Sequence, residues 1–114
     1  MSTKKVYLVV KTTFKDNKLV YRDTLCVCSS LKRAITHLVG FVKSESLEEC
    51  VKVRFGCLSS WVLITKYRKP DLVESYEDRF FYIFEMKLNV SESKQVDFMK
   101  LAIDYINQEI YGSK

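Results

Sequence analysis

The side chains of this 114-residue chain that are most typical of zinc sites and thiol chemistry are four cysteines and a single histidine. Their spacing does not match a metal site, because Cys26 and Cys28 are two residues apart and Cys50 and Cys57 are seven apart. His37 adjoins none of them, and common zinc sites place about two to four residues between paired ligands. The sequence therefore predicts no metal and no cofactor. We expect reduced thiols that pack as small apolar side chains.

Motifs of the common enzyme classes are absent from the sequence. The three glycines, Gly40, Gly56 and Gly112, lie far apart, so no glycine-rich loop can cradle a phosphate. No H-E-x-x-H, G-x-S-x-G or C-x-x-C motif occurs, and no spacing places His37 beside a serine or cysteine nucleophile. We therefore predict a protein without enzymatic activity.

Basic residues next to aromatic ones point to nucleic acid as a ligand. Such pairs occur at Lys66-Tyr67-Arg68-Lys69 and at Arg79-Phe80-Phe81-Tyr82, and an open sheet uses them for base stacking and phosphate neutralisation. The candidate contacts are Lys52, Arg54, Lys66, Arg68 and Lys69. However, the aromatic strand lacks the glycines of the RNP1 sequence, and aromatic strands more often belong to a core.

Charge is distributed unevenly along the chain, whose formal net charge is +5. Residues 1–70 carry 14 Lys and Arg against 5 Asp and Glu, whereas residues 71–114 carry 5 against 9. If the two halves occupied different surfaces, the molecule would be strongly dipolar. If they interleave in one sheet, the asymmetry cancels. Both arrangements are compatible with the sequence.

Local patterns at the start of the chain predict a hairpin followed by a helix. Alternating residues from Val6 to Phe14 and from Leu19 to Val27 indicate two strands, with Asp16-Asn17 as the turn. Ser30 is a candidate N-cap for a helix from Leu31 to Val42 or Lys43. The apolar residues of this helix form one stripe: Leu31, Ala34, Ile35, Leu38, Val39 and Val42.

Further strands and a second helix are predicted in the rest of the chain. Residues 44–60 are ambiguous, because Ser46 to Glu49 fits a capping box while Val51 to Phe55 alternates like a strand. Strands follow at Trp61–Tyr67 and Arg79–Leu88, joined by a loop. A helix capped by Ser91 or Ser93 then runs from Lys94 to Ile110.

These elements predict one α+β domain that spans residues 1–114. We expect a mainly antiparallel sheet of four strands, or five if the third splits at Gly56, with two helices in the order β-β-α-β-β-α. The residues expected to be buried include Trp61, Phe84, Leu38 and Ile103.

The last predicted helix carries two apolar stripes. One consists of Val96, Met99, Ile103, Ile106 and Ile110, and the second consists of Phe98, Leu101 and Tyr105. The second stripe either widens the contact with the core or forms a self-association surface. We predict a homodimer that pairs through Phe98, Leu101 and Tyr105.

Hydropathy predicts a cytoplasmic protein that makes no membrane contact. No apolar run approaches the roughly 20 residues of a membrane-spanning helix. The first residues, Met1-Ser2-Thr3-Lys4-Lys5, lead directly into a strand without a separate apolar signal segment.

Four segments define the layout of the chain. They are the hairpin beginning Lys5-Val6-Tyr7-Leu8-Val9-Val10, the helix opening Ser29-Ser30-Leu31-Lys32-Arg33-Ala34, the Trp61 strand, and the strand ending Phe84-Glu85-Met86. This layout, over most of the chain, resembles small orphan α+β accessory proteins of phages and bacterial mobile elements. The resemblance implies a small non-enzymatic binding or regulatory protein that inhibits a host or rival protein, such as a nucleic-acid-handling complex. The alternative is direct binding of nucleic acid.

Overall fold

All strands of the described residues join one antiparallel sheet. The computed structural model describes residues 4–47, 51–56, 61–69, 72–87 and 93–111. Its elements are β1 (Lys5–Lys15), β2 (Lys18–Cys28), α1 (Leu31–Ser46), β3 (Val51–Gly56), β4 (Trp61–Lys69), β5 (Leu72–Lys87), β6 (Ser93–Gln95) and α2 (Met99–Tyr111). The sheet order is β2-β1-β5-β4-β3, with β6 paired to β5. The predicted α+β class, with an antiparallel sheet and two helices, is confirmed in its five-stranded version, and β6 is an addition.

Asp16 and Asn17 form the turn of the first hairpin, as predicted. Their φ angles of 52° and 67° lie in the left-handed region, which two-residue hairpin turns require and which Asp and Asn tolerate better than most residues. Lys15 and Lys18 pair across the turn. Farther along β2, Val20 and Leu25 have no partner in β1, so each is a β-bulge.

The hydrophobic core lies between one side of the sheet and the two helices. The strands contribute Val9, Val62, Ile64, Phe81 and Ile83, and the helices contribute Ala34, Leu38, Val39, Val42, Met99, Ala102 and Ile106. Because side chains alternate across a strand, the residues between these point to the other side of the sheet. We call the core-facing side the helix face and the opposite side the open face.

Helix α1 begins as predicted but ends later. The Ser30 hydroxyl accepts a hydrogen bond from the Arg33 backbone N–H at 3.2 Å, which makes Ser30 the N-cap. The helix continues to Ser46, whose hydroxyl donates to the Lys43 carbonyl at 2.8 Å. A capping box that starts at Ser46 is therefore wrong, since this residue occupies the last turn of α1. Glu49 lies outside the described residues.

The predicted loop between the fourth strand and the aromatic strand is much shorter in the structure. β4 extends to Lys69 and β5 begins at Leu72, and these two residues pair with each other. Tyr67 and Tyr76 also pair, so the strands form a long hairpin. Backbone pairing overrides the polar composition of this segment, which had indicated a loop.

The second helix starts later than the sequence indicates. Ser93, a predicted N-cap, lies in β6 opposite Met86. The Val96 backbone N–H donates to the Ile83 carbonyl at 2.8 Å, so pairing with β5 satisfies the backbone up to that residue. α2 begins only at Met99. The other candidate cap, Ser91, lies outside the described residues.

Burial agrees with prediction at Leu38 and differs at three other residues. Leu38 is fully buried in the core. Ile103 only packs against the edge of the core, whereas Trp61 and Phe84 lie on the open face and are partly exposed. The apolar pattern of these strands reflects two apolar faces, and both of the described helices, α1 and α2, cover the same one.

The basic and acidic halves of the chain interleave in the sheet. β1 from the first half pairs along its whole length with β5 from the second half. Ion pairs connect the halves, including Lys5 to Glu85 at 3.4 Å and Glu45 to Arg79 at 2.6 Å. Of the two arrangements compatible with the sequence, the structure contains the interleaved one.

Candidate functional site

The open face is the apolar surface of the sheet that the helices leave uncovered. Both helices pack on the helix face, and no helix or strand of the described residues lies over the other side. Its position follows from the register, since Val9 pairs with Ile83 in the core and Val10 therefore pairs with Tyr82 on the open face.

Five aromatic side chains from three strands form a continuous cluster on the open face. We call Phe14, Trp61, Phe80, Tyr82 and Phe84 the aromatic cluster. Phe80 contacts Phe14 and Trp61 edge-to-face, with ring centroids 5.7 Å and 5.6 Å away. The Tyr82 ring is stacked with the Phe80 ring, with centroids 6.4 Å apart, and contacts the Phe84 ring edge-to-face, with centroids 5.9 Å apart. These are the separations that aromatic pairs prefer.

The aromatic cluster shields the sheet beneath it while remaining partly exposed itself. Val10 and Leu63 also lie on the open face, yet they are only 4% and 5% exposed. All five rings have intermediate exposure. The rings therefore serve as the cover of this face and also as a surface that a planar ligand can reach.

Gly56 makes room for one member of the aromatic cluster. It pairs with Trp61 at the edge of the sheet, and a Cβ at this position would overlap the indole ring. The absence of a side chain lets the indole lie over the β3 backbone. The Gly56 and Trp61 pair thus sets the orientation of the ring at this end of the cluster.

Cationic side chains flank the aromatic cluster at both edges of the sheet. Lys52 and Arg54 lie on β3, opposite Thr65 and Leu63 respectively. On the other edge, the Arg22 guanidinium lies 5.7 Å from the Phe84 ring centroid, within the range of a cation–π contact. Arg22, Lys52 and Arg54 share the open face with the carboxylate of Asp78.

Arg22 reaches the open face because of the bulge at Val20. The turn alone would pair Arg22 with Lys11 on the helix face, but the extra residue shifts the register and pairs it with Thr12. A one-residue shift moves side chains to the other face of a strand. Sequence reasoning missed Arg22, since nothing in the alternation of β2 marks Val20 as a bulge.

The predicted nucleic-acid-binding residues separate into three groups. Lys52 and Arg54 lie beside the aromatic cluster. Lys66 lies on the other side of the sheet, because it pairs with Val51 and Glu77, and Val51 packs against the core. The side chains of Arg68 and Lys69 lie outside the described residues. The structure therefore brings two of the five predicted cations to one surface and places Lys66 elsewhere.

The charged groups of the helix face form a structural network. The Glu45 carboxylate in the last turn of α1 accepts hydrogen bonds from Lys11 at 3.2 Å and from Arg79 at 2.6 Å. Arg79 also contacts Glu77 at 2.8 Å. These four side chains are at most 28% exposed, and the network joins α1 to β1 and β5.

Cys26 and Cys28 lie on the same face of β2, as predicted, and their Sγ atoms are 3.7 Å apart. Burial raises the pKa of the Cys26 thiol to about 11, with a further contribution from its hydrogen bond to Cys28. The thiol is thus protonated at neutral pH and a poor nucleophile. Within the described ranges, no group of three potential ligand side chains could hold a metal ion. Cys50 and Cys57 fall outside them.

A groove between the two helices contains part of the predicted self-association surface. The groove has a volume of about 500 Å³ and is lined by Leu31, Ile35, Leu101, Ala102 and Tyr105, together with Lys32 and Thr36. Leu101 is 75% exposed and Tyr105 is 40% exposed. Phe98 is fully buried, so its predicted place on a surface stripe is wrong. It precedes α2 and turns into the core.

Comparison with family models, curated proteins and solved structures finds no match to this chain. The resemblance to phage and mobile-element accessory proteins therefore stays a prediction. Neither helix in the described part of the chain combines the length and apolar character needed to cross a membrane.

Proposed function

We propose that this protein binds single-stranded nucleic acid on the open face of its sheet. The observation that carries the proposal is the aromatic cluster with cations on both sides, Arg22 at one sheet edge and Lys52 and Arg54 at the other. Aromatic rings on a sheet provide stacking platforms for unpaired bases, and flanking cations neutralise phosphates.

The shape of the surface favours a single strand over a duplex. The bases of a duplex are stacked on one another, so their faces cannot lie on protein rings. Each base that stacks on an aromatic side chain contributes about 1–3 kcal/mol. The cluster offers several rings at separations of 5.6–6.4 Å, which suits consecutive unstacked bases. A formal net charge of +5 supports the same ligand class.

Fluorescence anisotropy with a labelled single-stranded oligonucleotide at two salt concentrations tests this proposal. Replacing Lys52 and Arg54 together by glutamine should lower the affinity and reduce the slope of log K against log salt by about 0.7 per lost phosphate contact. The matched control replaces Lys32 and Arg33 on α1, which changes the net charge equally on the opposite side of the molecule. Equal effects of the two double variants would contradict the proposed site.

The aromatic contribution is tested separately with Tyr82→Ala. Loss of this ring from the middle of the cluster should weaken binding by about 1–3 kcal/mol while the salt dependence stays unchanged. A thermal melt of the variant confirms that it is folded. Binding indifferent to this substitution would mean that the ligand contacts charges alone.

We propose as a second candidate function that the protein binds and blocks a protein partner through the groove between α1 and α2. The exposure of Leu101 supports this proposal, because a leucine that is 75% exposed above an apolar groove contributes little to the fold. Affinity capture from a nuclease-treated bacterial lysate, with Leu101→Glu as the comparison, tests it. A partner retained by the unmodified protein and lost by the variant would support this function. Recovery of the same proteins by both would overturn it.

A further inference from the structure

Asp78 is an acidic residue at an unexpected position on the open face. It pairs with Phe14 on β1 and with Thr65 on β4, and it precedes Phe80 by two residues on the same side of β5. The Thr65 hydroxyl donates a hydrogen bond to Asp78 Oδ1 at 2.7 Å. Thr65 is only 3% exposed, so this bond holds the carboxylate in a fixed orientation beside two rings of the aromatic cluster.

Asp78 differs in its partner from Glu77 and Glu85 on the same strand and from Glu45 on α1. Glu45, Glu77 and Glu85 each contact a lysine or arginine within 4 Å, whereas the described partner of Asp78 is a neutral hydroxyl. A carboxylate on a surface that attracts phosphate weakens that attraction unless it also contacts the ligand. The carboxylate has hydrogen-bond-accepting capacity left, because each of its oxygens has two lone pairs and one hydroxyl occupies only one of them.

We infer that Asp78 selects guanine by accepting hydrogen bonds from the exocyclic amino group of a guanine stacked on Phe14 or Phe80. The inference rests on the proposed binding of single-stranded nucleic acid and adds a preference for strands that contain guanine. An ionised carboxylate can only accept hydrogen bonds, and it recognises the amino group of cytosine in the same way. Guanine offers an amino group next to a ring N–H, which matches both carboxylate oxygens. Thymine and uracil have no amino group, and the single N–H of their pairing edge lies between two carbonyl oxygens that repel Asp78.

Binding of three single-stranded oligonucleotides of about 12 nucleotides tests the inference. One is all thymine, one alternates thymine with guanine, and one alternates thymine with hypoxanthine, which is guanine without its amino group. The unmodified protein should bind the guanine strand about tenfold more tightly than the other two, the discrimination typical of one well-placed base contact.

Asp78→Asn is the decisive variant, because its amide oxygen keeps the bond from Thr65 while its NH₂ group replaces an acceptor by a donor. The preference for guanine over hypoxanthine should disappear, and binding of the thymine strand should rise. Asp23→Asn is the matched control, since Asp23 pairs with Lys11 on the helix face and loses the same charge. Thr65→Val should lower the preference by freeing the carboxylate, without weakening the thymine complex.

The outcomes separate this inference from the proposed function. A guanine preference that Asp78→Asn abolishes and Asp23→Asn retains supports the role of Asp78. Salt-dependent binding with equal affinity for all three strands, or a preference that survives Asp78→Asn, overturns that role and leaves nucleic-acid binding intact. No binding to any strand at low salt overturns both.

Discussion

Phe80 and Phe81 are consecutive residues of β5 that lie in opposite environments. Phe81 is fully buried under the helices, whereas Phe80 lies in the aromatic cluster and is partly exposed. The comparison extends to the whole sheet, whose two faces are both apolar. In the part of the chain that the structure describes, other elements cover only one of them. Apolar content therefore does not identify a core. What distinguishes the faces is whether the cover is a helix or a set of rings that a ligand can reach.

The largest expected effect comes from truncating these two phenylalanines. Phe81→Ala should lower the free energy of unfolding by about 3–5 kcal/mol, because it leaves a cavity between the sheet and the helices. Phe80→Ala should lower it by about 1–2 kcal/mol, since solvent can fill the space at a partly exposed position. Urea denaturation measures both. Equal losses would mean that the open face is as enclosed as the core.

A smaller loss of stability should follow Glu45→Gln on the helix face. The substitution removes a charge that accepts hydrogen bonds from both Lys11 and Arg79, and we expect a loss of about 2 kcal/mol. Glu109→Gln is the control, because its pair with Lys43 is much more exposed, at 36% and 48%, and should contribute less than about 0.5 kcal/mol. If the two variants unfold at the same urea concentration, the network around Glu45 does not stabilise the attachment of α1.

Two glycine substitutions, one beside the aromatic cluster and one in α1, should change the stability in opposite directions. Gly56→Ala should destabilise by about 1–2 kcal/mol and change the tryptophan fluorescence, since the new methyl group displaces the Trp61 indole. Gly40→Ala on α1 meets no atom within 4 Å and should stabilise by about 0.5–1 kcal/mol, because alanine favours a helix. Changes of the same sign in thermal melts would refute the proposed packing of Trp61 over Gly56.

The Cys26 thiol, which lies on the helix face, should make the free energy of unfolding depend on pH. Its pKa is raised from 9.0 to about 11, so the folded state holds the proton more tightly than the unfolded state. Its contribution to stability is complete below about pH 9 and is lost as the pH rises toward about 11. Lysines and tyrosines titrate in the same range, so the quantity to measure is the difference in unfolding free energy between the unmodified protein and Cys26→Ala. A difference that stays constant from pH 8 to pH 11 would contradict the raised pKa of this thiol.

The smallest effect on stability is expected from a substitution on the exposed side of α2. Leu101→Glu should change the free energy of unfolding by less than about 0.5 kcal/mol, because the side chain is mostly in water. It should nevertheless dissociate the predicted homodimer, which light scattering would report as a fall to the 13.4 kDa of one chain. Asn107→Glu adds the same charge elsewhere on α2 and should leave the dimer intact. A mass of one chain for the unmodified protein at high concentration would refute the dimer.

Local sequence patterns predicted the elements better than the surfaces that those elements form. The Asp16-Asn17 turn, the Ser30 cap and the two-sided alternation of β5 each depend on neighbouring residues, so they could be recognised in the sequence. The face that the helices cover could not be recognised in this way, because β1 carries apolar residues on both of its faces, with Val9 on one and Val10 on the other. Only the packing of α1 and α2 decides between them.

The candidate site was predictable only in part for the same reason. Lys52 and Arg54 were identified because they alternate with apolar residues in a single strand. Arg22 depends on the bulge at Val20, and Asp78 depends on pairing with strands distant in sequence. Trp61 and Phe84 were expected in the core, since the sequence does not reveal that both helices pack on one side.

The two bulges of β2 also have a consequence for solubility. β2 is an 11-residue strand at the edge of the sheet, and Leu19, Val20, Tyr21 and Val27 are exposed along it. A regular edge of this length and composition is a template for aggregation with other chains. The bulges divide it into regular stretches of two, four and three residues, each shorter than the roughly six residues that stack into amyloid-like sheets. The two bulges should therefore disfavour polymerisation through this strand, and the bulge at Val20 also brings Arg22 to the open face.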